Sequence, residues 1–116
     1  MVNYLQTHKS ENEVSLIFHS LADPTRRKIL QRLTGQSLTV TEIAKPYDMS
    51  LPAISKHLRI LEKARLIGRD KHGREYQIHL EPQALRTVEE YMDFYKKFWN
   101  TRLSNLEKIF RKNSNL

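Results

Sequence analysis

From Pro82 to Lys112 the chain reads as one unbroken helical pattern, and that stretch limits what 116 residues can build. Leu85, Val88, Met92, Tyr95, Trp99, Leu103, Leu106 and Phe110 recur at spacings of three and four, one apolar row down a helix. Pro82 suits the first helical position, and nothing interrupts the pattern before Lys112. Such a helix is roughly 45 Å long, more than one small core covers. Tyr91, Phe94 and Phe98 form a second row beside the first. An aromatic stripe this wide on a helix this long calls for a partner helix, and a second copy of the chain is the expected partner. The length fits a single domain over 1–116: a flexible tail at 1–10, a core over 12–80, the long association helix at 82–112 and a tail at 113–116.

The preceding residues divide into short elements. Ser10 and Glu13 have capping-box spacing, and Val14, Ile17, Phe18 and Leu21 line one face of a first helix. Asp23-Pro24 opens a second helix with Ile29, Leu30 and Leu33 as its buried stripe, and Gly35 stops it. Thr39 and Glu42 cap a brief third helix that ends near Lys45, because Pro46 disfavours helical geometry there. After a tight turn at Tyr47-Asp48-Met49, Ser50 caps a fourth helix running to about Ala64, with Leu51, Ile54, Leu58 and Leu61 on one side. Beyond Leu66-Ile67 the period changes from 3.6 to 2, and Tyr76, Ile78 and Leu80 alternate with polar residues as a half-buried strand. Lys71-His72-Gly73-Arg74 is the hairpin tip, with Gly73 supplying positive φ. The fold class is mainly α with a small β-hairpin, and the two short helices about a tight turn have the outline of a helix-turn-helix.

Charge is concentrated in the same region. The chain carries 20 Lys and Arg against 13 Asp and Glu, net +7, and residues 50–80 alone carry net +4. A local basic stripe suggests a polyanion partner. The apolar side of the fourth helix leaves Ser50, Pro52, Ala53, Ser55, Lys56, His57, Arg59 and Lys63 on its outer side and rims. A helix fits the major groove of duplex DNA, and the small Pro52 and Ala53 permit close approach. The sequence leaves open whether Lys56 and Arg59 meet guanine or phosphate. Arg69, Lys71, His72 and Arg74 on the hairpin suit the DNA backbone or minor groove, and also protect an exposed strand edge. Arg26-Arg27-Lys28 reads either as a second basic patch or as a charged first turn whose cations oppose the helix dipole and need compensation.

The ordered segments LADPTRRKIL at 21–30, TVTEIAKPYDMSLPAISKHLRILEKARLI at 39–67 and the charged hairpin through Tyr76 resemble the ArsR-type winged helix-turn-helix transcription regulators. The resemblance covers residues 12–80, and the last helix fits in position and length. It implies a DNA-binding regulator with the hairpin as its wing. Many relatives sense metals through Cys-x-Cys in the third helix or through Asp, His and Glu on the last. Here Thr39 and Thr41 stand in place of the thiolates, the chain has no cysteine, and 82–112 has no histidine. Neutral hydroxyls are poor ligands for soft metals, so no metal or other cofactor is expected. Relatives also place glycine after the recognition helix where this chain has Arg65; either the turn differs or a left-handed arginine is tolerated at about 1–2 kcal/mol.

No glycine-rich phosphate loop, HExxH or nucleophile elbow is present, so no enzyme is expected. No apolar run exceeds four residues, so neither a membrane span nor a secretory signal is expected, and the location is cytoplasmic. The expected function is a homodimeric repressor on palindromic double-stranded DNA. Its interface is formed by Val14, Ile17, Leu21, Leu85, Val88, Met92, Tyr95, Trp99, Leu103 and Leu106. The rivals are a protein-interaction module built on the last helix, with an incidental basic face, and a nonspecific coat on DNA.

Overall fold

A computed structural model describes the backbone of residues 2–114 and the side chains of residues 11–113. Along these residues run α1 (Val2–Leu21), α2 (Pro24–Arg32), β1 (Leu38–Thr39), α3 (Val40–Ala44), α4 (Leu51–Lys63), β2 (Ile67–His72), β3 (Glu75–Leu80) and α5 (Pro82–Ser114). This is the expected mainly helical order with a hairpin wing, plus one short strand that carries no period-2 signal of its own. β1 pairs antiparallel with β3 through Leu38 opposite Ile78, giving a three-stranded sheet in the order β1-β3-β2.

Three helix starts form where the sequence places them. Asp23, in extended geometry, accepts the Arg26 backbone N–H at 3.0 Å, and Pro24 fills the first turn of α2. Thr39 and Glu42 complete a reciprocal capping box on α3 with bonds of 3.0 and 3.1 Å. The Ser50 hydroxyl accepts the Ala53 N–H at 3.2 Å and starts α4. The first helix departs from expectation. It begins at Val2, so Ser10 lies inside a helix and 2–10 continue it, because the capping-box spacing recurs by chance within a longer helix. Met1 and residues 115–116 of the expected tails lie outside the described residues, and α5 continues to Ser114.

Ile54, Leu58 and Leu61 bury the inner side of α4 completely against Ile17, Ile29, Leu33, Ile43 and Ile78. Leu51 does not join them and is 56% exposed, because it stands at the first position of the helix, one turn outside the core. Tyr76 likewise lies outward, near the far end of the wing. The hairpin register sets His72 opposite Glu75, so the turn is Gly73-Arg74. Lys71 and His72, expected in the tip, close the strand instead. Gly73 has φ +65, which a two-residue hairpin turn needs at its first position. At the wing base, a Cβ on Gly68 would sit 2.6 Å from Glu81 Oε1 and 2.8 Å from His79 Nε2, so glycine leaves room for that pair.

α1 packs on α2, α4 and α5, and this changes the reading of its apolar face. Val14 (6% exposed) and Ile17 (2%), expected at an interface with a second copy, belong to the chain's own core. Leu21 and Val88 are half-buried against that core. Their periodicity marks an apolar face, but periodicity alone does not say which neighbour covers it. Phe18, left out of the expected interface, is exposed and meets the Tyr91 ring edge-on at 5.9 Å.

Candidate nucleic-acid interface

Two sets of cations separate once the side chains are placed. The first set is engaged internally. Arg26 is buried, with Nε donating to the Ser20 carbonyl at 2.7 Å and Nη2 to the His19 carbonyl at 3.0 Å. Arg27 donates to the Leu21 carbonyl at 2.7 Å. The cations that oppose the dipole of α2 therefore face the carbonyl end of α1, where positive charge is favourable. Of the two readings of 26–28, these contacts support the compensated first turn: Arg26 and Arg27 join helices, with Arg26 buried and Arg27 exposed. Arg32 donates to the Glu42 and Ile43 carbonyls at 2.8 and 2.7 Å, closing the end of α3, and its guanidinium lies 5.8 Å from the Tyr47 ring centre. Arg69, expected among DNA contacts, is half-buried and donates through Nε to Glu62 Oε2 at 2.9 Å.

The second set faces water. Lys56, Arg59 and Lys63 lie exposed along the outer side of α4, and Lys71, His72 and Arg74 lie exposed on the wing. Among the described residues, none of these six side chains makes a hydrogen bond or ion pair. Pro52 is exposed beside them, and Ala53 and Ser55 are half-buried at the rims. The start of α4 is a weak anion site by itself. Pro52 has no N–H and the Ala53 N–H is already held by Ser50, which leaves few free donors there.

His57 sits at the other rim, turned toward α2. Its Nδ1 lies 3.2 Å from Arg26 Nη1 and 3.9 Å from Asp23 Oδ2. The Arg26 backbone N–H, more than the nearby positive groups, holds the Asp23 carboxyl below the usual carboxylate range. Glu42 is lowered in the same way, chiefly by the Thr39 backbone N–H. At the wing base His79 lies between two carboxylates, Asp70 at 3.2 Å and Glu81 at 2.8 Å. Neither Asp23 nor Glu62 was legible as part of the site. The one reads as a helix cap and the other as a solvated acid, and only three-dimensional contact shows what they hold.

The last helix projects from this body. The molecule extends 70 Å along its longest axis and 23 Å along its shortest. Leu85, Met92, Tyr95, Trp99, Leu103 and Leu106 are all at least 38% exposed, and so are Phe94, Phe98, Ile109 and Phe110. The Tyr91 and Tyr95 hydroxyls are 3.0 Å apart, and that contact raises the Tyr91 pKa. Among the described residues no helix is long and apolar enough to cross a membrane, and no three His, Asp or Glu side chains are grouped as a metal ion would require.

Known proteins share this arrangement. Residues 21–68, which contain α2 through the start of β2, match a helix-turn-helix domain family. The chain is 31% identical over 105 residues to the HTH-type transcriptional regulator Rv2034 of Mycobacterium tuberculosis, covering 90% of this chain and 92% of that one. It is 37% identical over 76 residues to the transcriptional repressor SdpR of Bacillus subtilis, covering 66% and 84% respectively. The crystal structure of an ArsR family transcriptional regulator superimposes with a TM-score of 0.73 at 38% identity, over 78% of this chain and 93% of that one. By these identities, coverages and superposition, the chain belongs to the ArsR-type winged helix-turn-helix family of DNA-binding transcription regulators.

Proposed function

We propose that this protein acts as a dimeric repressor that seats α4 in the major groove of an imperfect palindrome. The observation that carries this reading is the separation of its cations. Lys56, Arg59 and Lys63 remain unpaired on the outer side of α4, while Arg26, Arg32 and Arg69 are held within the chain. An unpaired cation loses no internal contact on meeting a phosphate or guanine edge. Lys71, His72 and Arg74 then lie along the flanking backbone or the adjacent minor groove, and Pro52 and Ala53 allow the helix to approach closely. Arg69 supports the wing by joining β2 to α4.

The exposed face of α5 supports pairing with a second copy. Its ten large, partly exposed apolar residues offer roughly 1,000 Å² per protomer, more than the about 800 Å² per partner of a standard interface. Phe18 and Leu21 of α1 border it. Two-fold pairing places the recognition helices about 34 Å apart, one turn of DNA. No cofactor enters this reading, and catalysis has no part in it.

Titrating a labelled duplex from the region upstream of the gene at several salt concentrations tests the proposal. If the dimer neutralises about eight phosphates, log affinity falls with log salt at a slope near −7. A flat response overturns electrostatic docking, and equal affinity for unrelated duplexes favours nonspecific coating.

A further inference from the structure

Among the described residues, Arg26 is the one buried Lys or Arg, and its guanidinium makes three separate contacts. Two end on the His19 and Ser20 carbonyls at the end of α1, and the third crosses to His57 on α4. That third contact has a chemical consequence. A guanidinium only donates, so at 3.2 Å from Nη1 the His57 Nδ1 must accept with its lone pair. In a neutral ring the remaining proton then sits on Nε2. Asp23 pulls the other way, because a carboxylate 3.9 Å from Nδ1 favours a proton on that nitrogen. Its Oδ2 is already held by the Arg26 backbone N–H, and the guanidinium is the nearer group. Arg26 thus decides which end of the imidazole donates.

The free end lies where a donor is useful. His57 is four residues after Ala53 and next to Lys56, at the rim of the outward side of α4. Its side chain keeps 19% of its exposure, and Nε2 has no hydrogen-bond partner among the described residues. Resting on the reading of α4 as the recognition helix, we propose that Arg26 is a positioning residue for DNA recognition. It holds His57 as an Nε2–H donor to a backbone phosphate of duplex DNA, and it ties the roll of α4 to the end of α1. A neutral donor fixed in direction sets the helix's register on the backbone, which mobile lysine ammonium groups do poorly.

The test uses the full-length protein. Long-range proton–nitrogen correlation spectra, with His57 assigned by its absence in His57→Asn, are expected to show a neutral ring protonated at Nε2 at mildly alkaline pH; a proton on Nδ1 there overturns the proposal. Binding to a fluorescent duplex from the region upstream of the gene then compares two variants. Asn keeps an acceptor near the Nδ1 position and loses the outward donor, whereas Gln places an N–H near Nε2. The expected result is a roughly tenfold loss of affinity for His57→Asn, little loss for His57→Gln, and unchanged melting temperature in the Asn variant. Arg26→Lys keeps the charge without the three-way reach; it is expected to lose the fixed tautomer and a similar share of affinity, and a wild-type spectrum and affinity there overturn the role of Arg26. Equal affinity of the Asn and Gln variants, with tight wild-type binding, overturns the proposal alone. A wild type that ignores every duplex overturns the DNA reading with it.

Discussion

Arg65 occupies a position built for glycine, and replacing it measures what that costs. α4 ends in a complete Schellman turn: the Leu66 N–H donates to the Leu61 carbonyl at 3.0 Å and the Arg65 N–H to the Glu62 carbonyl at 2.9 Å. The first residue past the cap in this motif is left-handed, and here that residue is Arg65, with φ 61. Of the two readings the sequence allowed, the strained arginine is the one found. Left-handed geometry costs a side-chain-bearing residue about 1–2 kcal/mol, and glycine gives back about 0.5–1 kcal/mol through its freer unfolded chain. The Arg65 side chain is exposed and makes no hydrogen bond or ion pair among the described residues, so nothing else is lost. Arg65→Gly is therefore expected to stabilise by about 1 kcal/mol. At an unfolding entropy of about 2.1 cal/mol/K per residue, that raises the melting temperature of this chain by about 4 °C. Calorimetry at one fixed protein concentration measures it, since association shifts the midpoint by mass action. Arg65→Ala, which keeps the strain, is the control and should barely move. A fall in melting temperature with glycine refutes the reasoning, because it means that the arginine side chain holds something the turn geometry does not reveal.

Four further outcomes follow from the same structure. Replacing Lys56 and Arg59 together by Ala should lower DNA affinity at least tenfold and flatten the salt dependence by about two phosphates per dimer for each cation pair that meets the backbone, with sedimentation unchanged; wild-type affinity would favour the protein-interaction reading. Trp99→Glu places a charge within the exposed α5 stripe and should shift the sedimenting species to the monomer without melting the core, which it does not touch. Leu58→Ala empties a fully buried position and should destabilise by about 2–5 kcal/mol, whereas Leu51→Ala, on a half-exposed residue, should stay within about 0.5 kcal/mol in urea denaturation. The Asp23 carboxyl is held below its unfolded value, so its contribution is present at neutral pH and is lost as pH falls through the lowered value; Asp23→Asn keeps the cap and should flatten that acid limb of the urea midpoint, and parallel curves for the two proteins would count against it.

What was legible in the sequence was whatever repeats at a local period or sits at a cap. The starts of α2, α3 and α4 depend on one side chain reaching a backbone N–H three residues on, so Asp23, Thr39 and Ser50 announce them. The inner side of α4 was legible for the same reason, except at Leu51, where helical phase is right but the core does not extend so far. β1 escaped because two residues have no period, and Leu38 and Thr39 become a strand only when β3 lies beside them.

The candidate site was legible in its outward half alone. The exposure of Lys56, Arg59 and Lys63 was legible because an exposed face is defined by what the buried face omits, which a helical wheel supplies. The inward half depends on contacts distant in sequence. Arg26 and His57 are 31 residues apart and adjacent in space, and composition makes Arg26 look like Lys28. Two cations on neighbouring helices therefore stand differently: Arg26, in the first turn of α2, braces the domain, and Lys56, on the outer side of α4, is left unpaired. The distinction is set by which carbonyls are unpaired nearby. The end of α1 leaves its last carbonyls without intrahelical partners, a helix end that closes in the protein interior needs donors, and Arg26 and Arg27 supply them. A basic run that directly follows a helix end is thus better read first as that end's cap, and as a polyanion site only where no such carbonyls lie within reach.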